Sequence, residues 1–463
     1  MNSIFANAIV ALSFPAICAS SLFAEPDYSD IVAKHVTPAI EAGMIPGAVI
    51  GIYKDGEVSF YPIGTLNYDQ DQAPTTETLY EIGSISKVVT GVFFADAVRR
   101  GEVTLDTLVD DLLPDGYKVQ TKEGEDLKLW HLTTHTSGWG TAPANISPTD
   151  GERPLLGYSK EMMFDAINTM PLKQAPGEAF EYSNFAVGLL GTLIADNAEG
   201  EYESLVINRI IEPLGIENFI IDLTEDQQQH LAPATVSGQN TKAWGKSGSM
   251  DPCGMWVTNA PGLLKFAMAS IYPKDGTHAG DVYQSVENSR ETLYDIESGG
   301  NLCSGWFKSP DGSTFWHNGM TGGYSSYMAV NPKHDGAVVL LSNGAAIETT
   351  IIGEKIIQEL FGIVSDPIST APKVAVDDEE LDKLIGVYNS ATYGFDMTIS
   401  EAQGNLLVQL TGQQPLALAA LSEIRFKIKI VDAEIEFDVP EEGNATSVTL
   451  FQNGMEIKCE RKD

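Results

Sequence analysis

The pattern of apolar and polar residues begins with a helix and a pair of strands. Tyr28–Ala42 repeats apolar residues at helical spacing and ends before Gly43, which predicts an amphipathic helix. Gly47–Tyr53 and Val58–Ile63 are apolar runs on either side of a turn centred on Asp55-Gly56. Asp-Gly between two such runs is typical of a β-hairpin. The first region is therefore expected to be a helix followed by two antiparallel strands.

The pattern changes twice in the middle of the chain. Residues 84–215 have mostly helical spacing, broken by loops rich in Gly, Pro and Thr. Strand signals return over residues 232–341, where Ser326–Val330 and Ala337–Leu341 are the clearest examples. A last helix is predicted near Ile351–Phe361. The first and last thirds of this region are thus expected to form one sheet, with a helical cluster inserted between them.

The C-terminal region has a different pattern of apolar and charged residues. Residues 364–380 are acidic, contain Pro and show no periodicity, which predicts a linker. Beyond it, Phe426–Ile430 and Ile435–Val439 alternate strictly between apolar and charged residues, as half-buried strands do. Asp396–Ser400 and Leu406–Leu410 are expected to pair with each other. Short strands with no helix predict a small antiparallel barrel or sandwich.

The start of the chain has the composition of an export signal. Residues 4–24 are apolar or small and carry no charge. This predicts a signal peptide over residues 1–24, cleaved between Ala19 and Ala24, and an exported protein that is periplasmic or secreted. No Lys or Arg precedes the apolar stretch. An uncleaved membrane anchor and a lipoprotein attached through Cys18 are therefore the alternatives.

Charge and cysteine content exclude some classes of function. The chain has 28 Lys and Arg residues against 64 Asp and Glu residues, which gives a net charge of −36. A field of that sign repels phosphate backbones and anionic membrane surfaces, so no nucleic-acid partner is expected. After the predicted signal, Cys253, Cys303 and Cys459 remain. A bridge between Cys253 and Cys303 is expected, with three isolated buried thiols as an equal alternative. No CxxC or HExxH motif supports a zinc site.

The first motif with chemical content is Ser84-Ile85-Ser86-Lys87, which precedes an apolar helix that stops at Gly101. Ser84 would open this helix, where unpaired N–H groups and the positive dipole end favour a developing oxyanion. Lys87 follows three residues later and shares a helix face with Ser84. Burial disfavours a charged amine and would make Lys87 a usable proton acceptor. On its own the motif is also compatible with Ser84 as a simple helix cap.

The second motif, Tyr182-Ser183-Asn184, precedes another apolar helix over Phe185–Ala195. A phenol beside an ammonium gives up its proton more readily, so Tyr182 would serve as base for the nucleophile and acid for the leaving group. The amide of Asn184 would hold a substrate carbonyl. The alternative is a capped helix with a packed tyrosine.

The third motif is His317-Asn318-Gly319, followed by Met320. Glycine lets a backbone approach a substrate closely. The N–H of Met320 would join that of Ser84 as the second oxyanion donor. His317 would donate to a substrate carboxylate or assist the proton relay, although a lone histidine is commonly structural.

In this order, the three motifs resemble those of serine β-lactamases and penicillin-binding proteins, which use Ser-x-x-Lys, a Ser- or Tyr-based second element and Lys-Thr-Gly. The Tyr-x-Asn form is similar to class C β-lactamases and to the D-alanyl carboxypeptidases, D-amino-acid peptidases and esterases related to them. The segment from His131 to Gly138 also resembles a loop of this family. The resemblance covers roughly residues 28–362. It implies an α/β fold, with an antiparallel sheet flanked by helices and an inserted all-helical cluster.

The resemblance also implies a serine hydrolase that forms an acyl-enzyme on a β-lactam, a D-amino-acid peptide or an ester. It needs no metal and no organic cofactor, and its partner is a small-molecule or peptide substrate. The implied site residues are Ser84, Lys87 and Tyr182 for catalysis, Ser84 and Met320 for the oxyanion hole, and Asn184, His317, Asn318 and Gly319 for substrate binding. His317 stands where class C β-lactamases have lysine, which looks more like the esterases and peptidases and leaves the substrate open.

Two alternatives from other functional classes stay open. One is a penicillin-binding sensor that is acylated but does not turn over, and the other is a ligand- or partner-binding role centred on the C-terminal domain. That domain resembles the lipocalin-like barrels appended to some peptidases and esterases of this group. The expected domains are a signal peptide at 1–24, a β-lactamase-like domain at 25–363, a linker at 364–380 and a small β-barrel at 381–463.

Overall fold

A computed structural model describes residues 27–462, apart from short internal segments. The segments outside the description are 69–70, 121, 123, 125, 144, 147–149, 237, 272–279, 297–299, 369–375, 391–392, 403–404, 411–415, 429–432, 441–442 and 453–454. The predicted signal peptide, including Cys18, lies outside the described residues. Over the part of the chain that is described, no helix is both long and apolar enough to cross a membrane.

Helices lie at both ends of the first domain and throughout its middle. They are α1 (Ser29–Glu41), α2 (Ser86–Arg99), α3 (Leu129–Thr133), α4 (Lys160–Thr169), α5 (Asn184–Asn197), α6 (Tyr202–Val206), α7 (Glu225–Gln228), α8 (Asp251–Gly254), α9 (Ala260–Met268), α10 (Asp281–Ser289) and α11 (Glu348–Leu360). The helices predicted near each end of this region are α1 and α11, so both predictions are confirmed. The inserted helical cluster is also confirmed, since α2 to α8 follow one another between the first hairpin and the later strands.

The strands of the first domain form one large sheet and smaller ones. They are β1 (Gly47–Lys54), β2 (Glu57–Gly64), β3 (Tyr80–Glu81), β4 (Phe219–Ile220), β5 (Thr235–Val236), β6 (Gln239–Asn240), β7 (Val257–Thr258), β8 (Tyr294–Asp295), β9 (Asn301–Leu302), β10 (Phe307–Lys308), β11 (Phe315–Met320), β12 (Ser325–Asn331) and β13 (Gly336–Ser342). The large sheet has eight strands in the order β2-β1-β13-β12-β11-β10-β9-β8. The sequence-distant pair β1 and β13 is antiparallel. One sheet is therefore built from both ends of the domain, as predicted.

The first hairpin forms at the predicted position. β1 and β2 pair up to Lys54 opposite Glu57, which leaves only Asp55 and Gly56 in the turn. Both turn residues have positive φ angles, 52° and 98°. Such a turn matches the right-handed twist of the strands that it joins.

The large sheet is covered on both faces, which explains the nearly continuous apolar run of β13. Val338 and Leu340 belong to a core shared with α1 and α11. Val339 and Leu341 point the other way, into the core shared with the inserted helices. Because β13 is buried on both faces, it lacks the polar alternation of a half-exposed strand.

The C-terminal domain is a closed antiparallel barrel of eight strands. Its strands are β14 (Gly386–Ser390), β15 (Phe395–Ala402), β16 (Asn405–Leu410), β17 (Leu416–Ala420), β18 (Arg425–Ile428), β19 (Ala433–Asp438), β20 (Ser447–Gln452) and β21 (Met455–Arg461). The predicted barrel is confirmed, and β15 pairs with β16 as expected. Ile435 and Val448 are fully buried in a core made by the barrel's own side chains.

A helix at the start of this domain corrects the expectation of strands alone. Helix α12 (Asp378–Leu384) begins inside the predicted linker. Leu384 is only 1% exposed and belongs to the barrel core, and its carbonyl accepts a hydrogen bond from the Tyr388 hydroxyl at 2.7 Å. The sequence of α12 is short and acidic, and Leu384 is the deeply buried residue among its described side chains. The helix therefore has no apolar periodicity that would predict it from the sequence.

Cys253, Cys303 and Cys459 are buried and unbridged in the structure. The expected bridge between Cys253 and Cys303 is therefore wrong, and the alternative of isolated buried thiols is confirmed. The Cys303 thiol instead donates to the carbonyl of Arg290 at 3.2 Å. Burial raises the pKa of both the Cys253 and Cys303 thiols to about 11.

Candidate active site

Ser84 lies in a tight 3₁₀ turn, Gly83–Ile85, that leads directly into α2. The helix therefore begins two residues later than the motif predicts. Gly83 has a φ of +50°, and a Cβ atom added there would lie 2.5 Å from the backbone nitrogen of Met320. Because Gly83 has no Cβ atom, the turn that contains Ser84 can pack directly against the end of β11. This contact places Ser84 close to Met320. The backbone N–H groups of these two residues are the expected oxyanion donors.

Lys87 is completely buried one turn along the same segment. Its Nζ atom donates to Ser84 Oγ at 2.9 Å and to the Cys253 carbonyl at 2.7 Å. That carbonyl belongs to α8, so the amine is fixed by a second element. Lys87 Nζ also lies 4.9 Å from the centroid of the Tyr182 ring. The hydroxyl, the amine and the phenol ring predicted to act together are thus neighbours.

Adjacent residues of the second motif have different structural roles. Ser183 caps α5, because its Oγ atom accepts the N–H of Ala186 at 3.1 Å. The preceding residue, Tyr182, stays outside the helix and faces Lys87. Asn184 is the first helical residue, and its backbone N–H donates to the carbonyl of Thr141 at 2.9 Å. The triplet therefore contains a helix cap at Ser183, and its tyrosine lies beside Lys87.

His135 is a site residue that the motif search does not single out. Its ring packs on Tyr182 with centroids 4.2 Å apart, and its Nδ1 atom accepts the N–H of Ser183 at 3.1 Å. Its backbone has a φ of +57°, which is uncommon for a residue other than glycine. Burial, then the nearby Lys87 amine, holds the pKa of His135 well below its usual range. The segment from His131 to Gly138 contains this residue, but only the structure reveals its contact with Tyr182.

The third motif lies on β11, which packs closely against the turn of Ser84. A Cβ atom at Gly319 would lie 1.9 Å from the Ile82 carbonyl oxygen, so only glycine fits there. The same oxygen accepts a hydrogen bond from Ser326 Oγ at 2.8 Å, and Ser326 lies opposite Gly319 on β12. The glycine and the serine together set the distance between β11 and the turn that contains Ser84.

Asn318 does not face the site with its side chain. Its Nδ2 atom donates to Thr350 Oγ1 at 2.9 Å, and Thr350 belongs to α11. Alternation along β11 places His317 and Asn318 on opposite faces of the sheet. The Asn318 side chain is therefore engaged on the α11 side of the sheet, and its role in substrate binding stays a prediction.

His317 is buried and neutral. Burial, then the charge of Lys87, lowers the pKa of its ring to about 3. Its Nδ1 atom lies 2.5 Å from the Asn318 carbonyl oxygen. A carbonyl oxygen only accepts, so Nδ1 carries the ring proton and Nε2 holds a lone pair. With the proton on Nδ1, Nε2 is an acceptor, and donation to a substrate carboxylate needs the other tautomer or a protonated ring; the role of His317 in substrate binding stays a prediction.

Two apolar residues next to the second and third motifs are exposed to solvent. The Met320 side chain is 47% exposed beside the expected oxyanion donor, and the Phe180 ring is 36% exposed just before the second motif. Phe180 contacts Phe307 with ring centroids 6.4 Å apart, and Phe307 in turn lies 5.1 Å from the His317 ring. Aromatic rings therefore extend from the exposed rim to the buried third motif.

Fold and site define a class of protein: a serine in a tight turn ahead of an apolar helix, a buried lysine that contacts it, and a tyrosine and a sheet strand that lie beside them. The profile of the family described as Beta-lactamase matches residues 32–352, which is more than half of the chain, and the chain belongs to this family. A second profile, described as a domain of unknown function (DUF3471), matches residues 370–461.

Relatives and solved structures agree with this assignment. The chain is 26% identical over 373 residues to a β-lactamase of Escherichia coli (strain K12), covering 73% of this chain and 94% of that protein. It is 26% identical over 330 residues to protein flp of Staphylococcus aureus (strain N315), covering 68% of this chain and 63% of flp.

Two solved structures show the same fold at low identity. A class C β-lactamase from Rhodobacter sphaeroides has a TM-score of 0.61 at 22% identity and covers 72% of this chain and 99% of its own. An octameric penicillin-binding protein homologue from Pyrococcus abyssi has a TM-score of 0.63 at 20% identity. That second structure covers 94% of this chain and 100% of its own, so its similarity extends beyond the β-lactamase-like domain.

Proposed function

We propose that this protein is a serine hydrolase that transfers an acyl group from its substrate to Ser84 and then to water. One observation carries the proposal: Lys87 Nζ lies 2.9 Å from Ser84 Oγ in a fully buried position. A hydroxyl in contact with an amine that is shielded from water can pass its proton on as it attacks a carbonyl. The family membership of residues 32–352 supports the same reaction class.

The chemical steps follow from the placement of the groups. Ser84 Oγ attacks the substrate carbonyl carbon, and its proton moves to the member of the Lys87–Tyr182 pair that holds a free lone pair, either a neutral amine or a phenolate. The negative charge that develops on the carbonyl oxygen is stabilised by the N–H groups of Ser84 and Met320. When the tetrahedral intermediate collapses, the bond to the leaving group breaks and the leaving group takes the proton. Water then attacks the acyl-enzyme by the same steps and releases the acid.

The substrate is proposed to be an ester, a β-lactam or a D-amino-acid peptide. The name of one similar protein, β-lactamase, supports the β-lactam. The half-exposed Met320 and Phe180 side chains at the mouth of the site support an apolar ester. All three substrates present a carbonyl group that Ser84 can attack.

The test is a turnover panel with nitrocefin, p-nitrophenyl butyrate and D-alanine amide on the full chain. We expect steady-state hydrolysis of at least one of them, and its loss in Ser84→Ala with an unchanged circular dichroism spectrum. Undiminished turnover in Ser84→Ala would overturn the proposal. Labelling of Ser84 without turnover of any of the three would favour the sensor alternative.

A further inference from the structure

His135 binds the backbone on both sides of Tyr182. Its carbonyl oxygen accepts the N–H of Glu181 at 2.8 Å, and its Nδ1 atom accepts the N–H of Ser183 at 3.1 Å. Its ring also packs on the Tyr182 ring, with centroids 4.2 Å apart and planes tilted by 31°. One residue therefore contacts the residue before Tyr182, the residue after it and the ring of Tyr182 itself.

The backbone of His135 is in a strained conformation at the point where these contacts are made. Its φ of +57° is in the left-handed region, which is uncommon for a residue other than glycine. Such a conformation costs free energy and persists where the surrounding structure enforces it. The two hydrogen bonds to Glu181 and Ser183 are contacts of that kind. The strain thus coincides with the segment that carries the Tyr182 phenol.

The protonation state of His135 suits the contact with Ser183. Burial, then the nearby Lys87 amine, holds the pKa of the ring well below its usual range, so the imidazole is neutral. Because Nδ1 accepts the Ser183 N–H, the ring proton is on Nε2. A protonated ring would donate from both nitrogens and could not accept this N–H. The hydrogen bond to Ser183 is therefore present at ordinary pH.

The same loop also binds other atoms of the second motif. The Thr141 hydroxyl donates to the Tyr182 carbonyl at 3.0 Å, and the Ser183 hydroxyl donates to the Gly140 carbonyl at 2.9 Å. These two contacts hold main-chain and capping atoms. His135 adds a contact with the ring of Tyr182, whose centroid lies 4.9 Å from Lys87 Nζ on the reacting side.

We infer that His135 is a positioning residue, which holds the Tyr182 phenol beside Lys87 and affects the reaction only through that phenol. This inference rests on the proposed acyl-transfer function and assigns a role in it to a residue outside the three motifs. Proton transfer depends on close placement of the groups that exchange the proton, and a misplacement of about 1 Å can cost a hundredfold in rate. The loop after α3 is therefore part of the machinery that places the phenol.

The test is a double-mutant cycle between His135 and the Tyr182 hydroxyl, on the full-length protein. The substrate is whichever of nitrocefin, p-nitrophenyl butyrate and D-alanine amide the protein hydrolyses. In His135→Ala, we expect kcat/KM to fall by about ten- to a hundredfold, mainly through kcat, because the phenol is displaced. In Tyr182→Phe there is no phenol to displace, so adding His135→Ala should lower kcat/KM by less than about threefold.

A conservative variant and a control make the result specific. In His135→Asn, the amide oxygen replaces Nδ1 as the acceptor, and asparagine tolerates the left-handed backbone. We expect this variant to be at least about threefold more active than His135→Ala, because Ser183 keeps its hydrogen bond. His230→Ala is the control, because His230 is exposed, and its activity should stay unchanged. Melting temperatures show that each variant is folded.

A crystal structure of His135→Ala tests the placement without any substrate. We expect the Tyr182 ring to move by about 1 Å or more, or to occupy two conformations, because two of its supports are lost. An unchanged ring, with its centroid still 4.9 Å from Lys87 Nζ, would overturn the inference.

The outcomes separate this inference from the proposed function. If His135→Ala lowers kcat/KM by the same factor with and without the Tyr182 hydroxyl, His135 does not act through the phenol, and the hydrolase stays intact. If His135→Asn is no more active than His135→Ala, the Nδ1 acceptor is not what positions Tyr182. If the folded protein hydrolyses none of the substrates and Ser84 takes up no acyl group, the proposed function fails. The crystal structure then decides by itself whether His135 positions Tyr182.

Discussion

Lys87 is held by two acceptors of different kinds, the Ser84 hydroxyl and the Cys253 carbonyl. The carbonyl is a fixed dipole from a separate helix, so it orients the amine without competing for the reaction. The Tyr182 ring lies 4.9 Å away and completes the surroundings of the amine. The Ser84 hydroxyl, the Lys87 amine and the Tyr182 ring are therefore neighbours, which is what the proposed proton transfer requires.

Removing the phenol oxygen alone tests this arrangement. Tyr182→Phe keeps the ring that packs on His135 and Lys87 but removes the group that would carry the proton. We expect kcat/KM to fall by about a hundredfold or more, with the melting temperature nearly unchanged. Tyr393→Phe is the matched control, because Tyr393 is 56% exposed in the barrel domain. Equal activity in the two variants would remove Tyr182 from the reaction.

At this scale the sequence predicts some residues much better than others. Ser84 and Lys87 follow from a three-residue spacing at the start of an apolar helix, which any helix must place on one face. His135 does not follow, because its contact with Tyr182 depends on a left-handed backbone in a loop. The acceptor role of His317 does not follow either, because the direction of the neighbouring carbonyl fixes the ring proton.

At the scale of elements, the site depends on how closely β11 approaches the turn before α2. Gly83 and Gly319 each lie where a Cβ atom would meet backbone atoms of the other element. Ser326 adds a hydrogen bond from β12 to the Ile82 carbonyl at 2.8 Å. Two glycines and one serine thus hold β11 against the turn before α2, and this contact brings Ser84 close to Met320, the residues of the two proposed oxyanion donors.

Adding one methyl group to this contact should disturb stability and activity together. In Gly319→Ala, the Cβ atom would lie 1.9 Å from the Ile82 carbonyl oxygen, so β11 has to move away. We expect a loss of roughly 1–3 kcal/mol in the free energy of unfolding, as in other overpacked sites, and a lower kcat. Urea unfolding and ester hydrolysis measure the two effects.

The control for that variant is Gly151→Ala. No atom lies within 4 Å of the Cβ position at Gly151, and its backbone does not have a positive φ angle. We expect its stability and activity to stay close to those of the unmodified protein. If Gly319→Ala behaves in the same way, the close contact between β11 and the nucleophile turn is not required.

Elements with a clear hydrophobic periodicity can be predicted from the sequence, and short polar elements cannot. The first hairpin follows from two apolar runs around Asp55-Gly56, since local turn chemistry determines its register. Helix α12 was missed because its sequence is acidic and only Leu384 is nearly fully buried. Its position is determined by contacts with the barrel, including the Tyr388 hydroxyl, and those contacts join residues of different elements.

At the scale of the whole molecule, separate cores stabilise the two folded regions. One core fills the space between the inserted helices and the large sheet, and another lies inside the barrel. Ile435 and Phe437 are among the side chains that fill the barrel interior. This observation weakens the alternative in which the barrel binds an apolar ligand inside itself, because its own residues occupy that space.

None of the cores depends on a disulfide among the described residues. Cys253, Cys303 and Cys459 are unbridged and buried. We therefore expect the same melting temperature with and without dithiothreitol. At least three thiols should react with Ellman's reagent in denaturant without prior reduction. A clear drop in melting temperature on reduction would show that a bridge had formed and would contradict the structure.

An acid quench during turnover shows whether Ser84 carries the acyl group. The protein is mixed with p-nitrophenyl butyrate or nitrocefin, quenched within the first turnovers, digested and mapped by mass spectrometry. The account predicts an acyl adduct on the peptide containing Ser84, at Ser84 itself, that appears before steady state and disappears as substrate is consumed. The same peptide in Ser84→Ala should stay unmodified. Turnover with no adduct at Ser84, or with the adduct on another residue, would contradict the account.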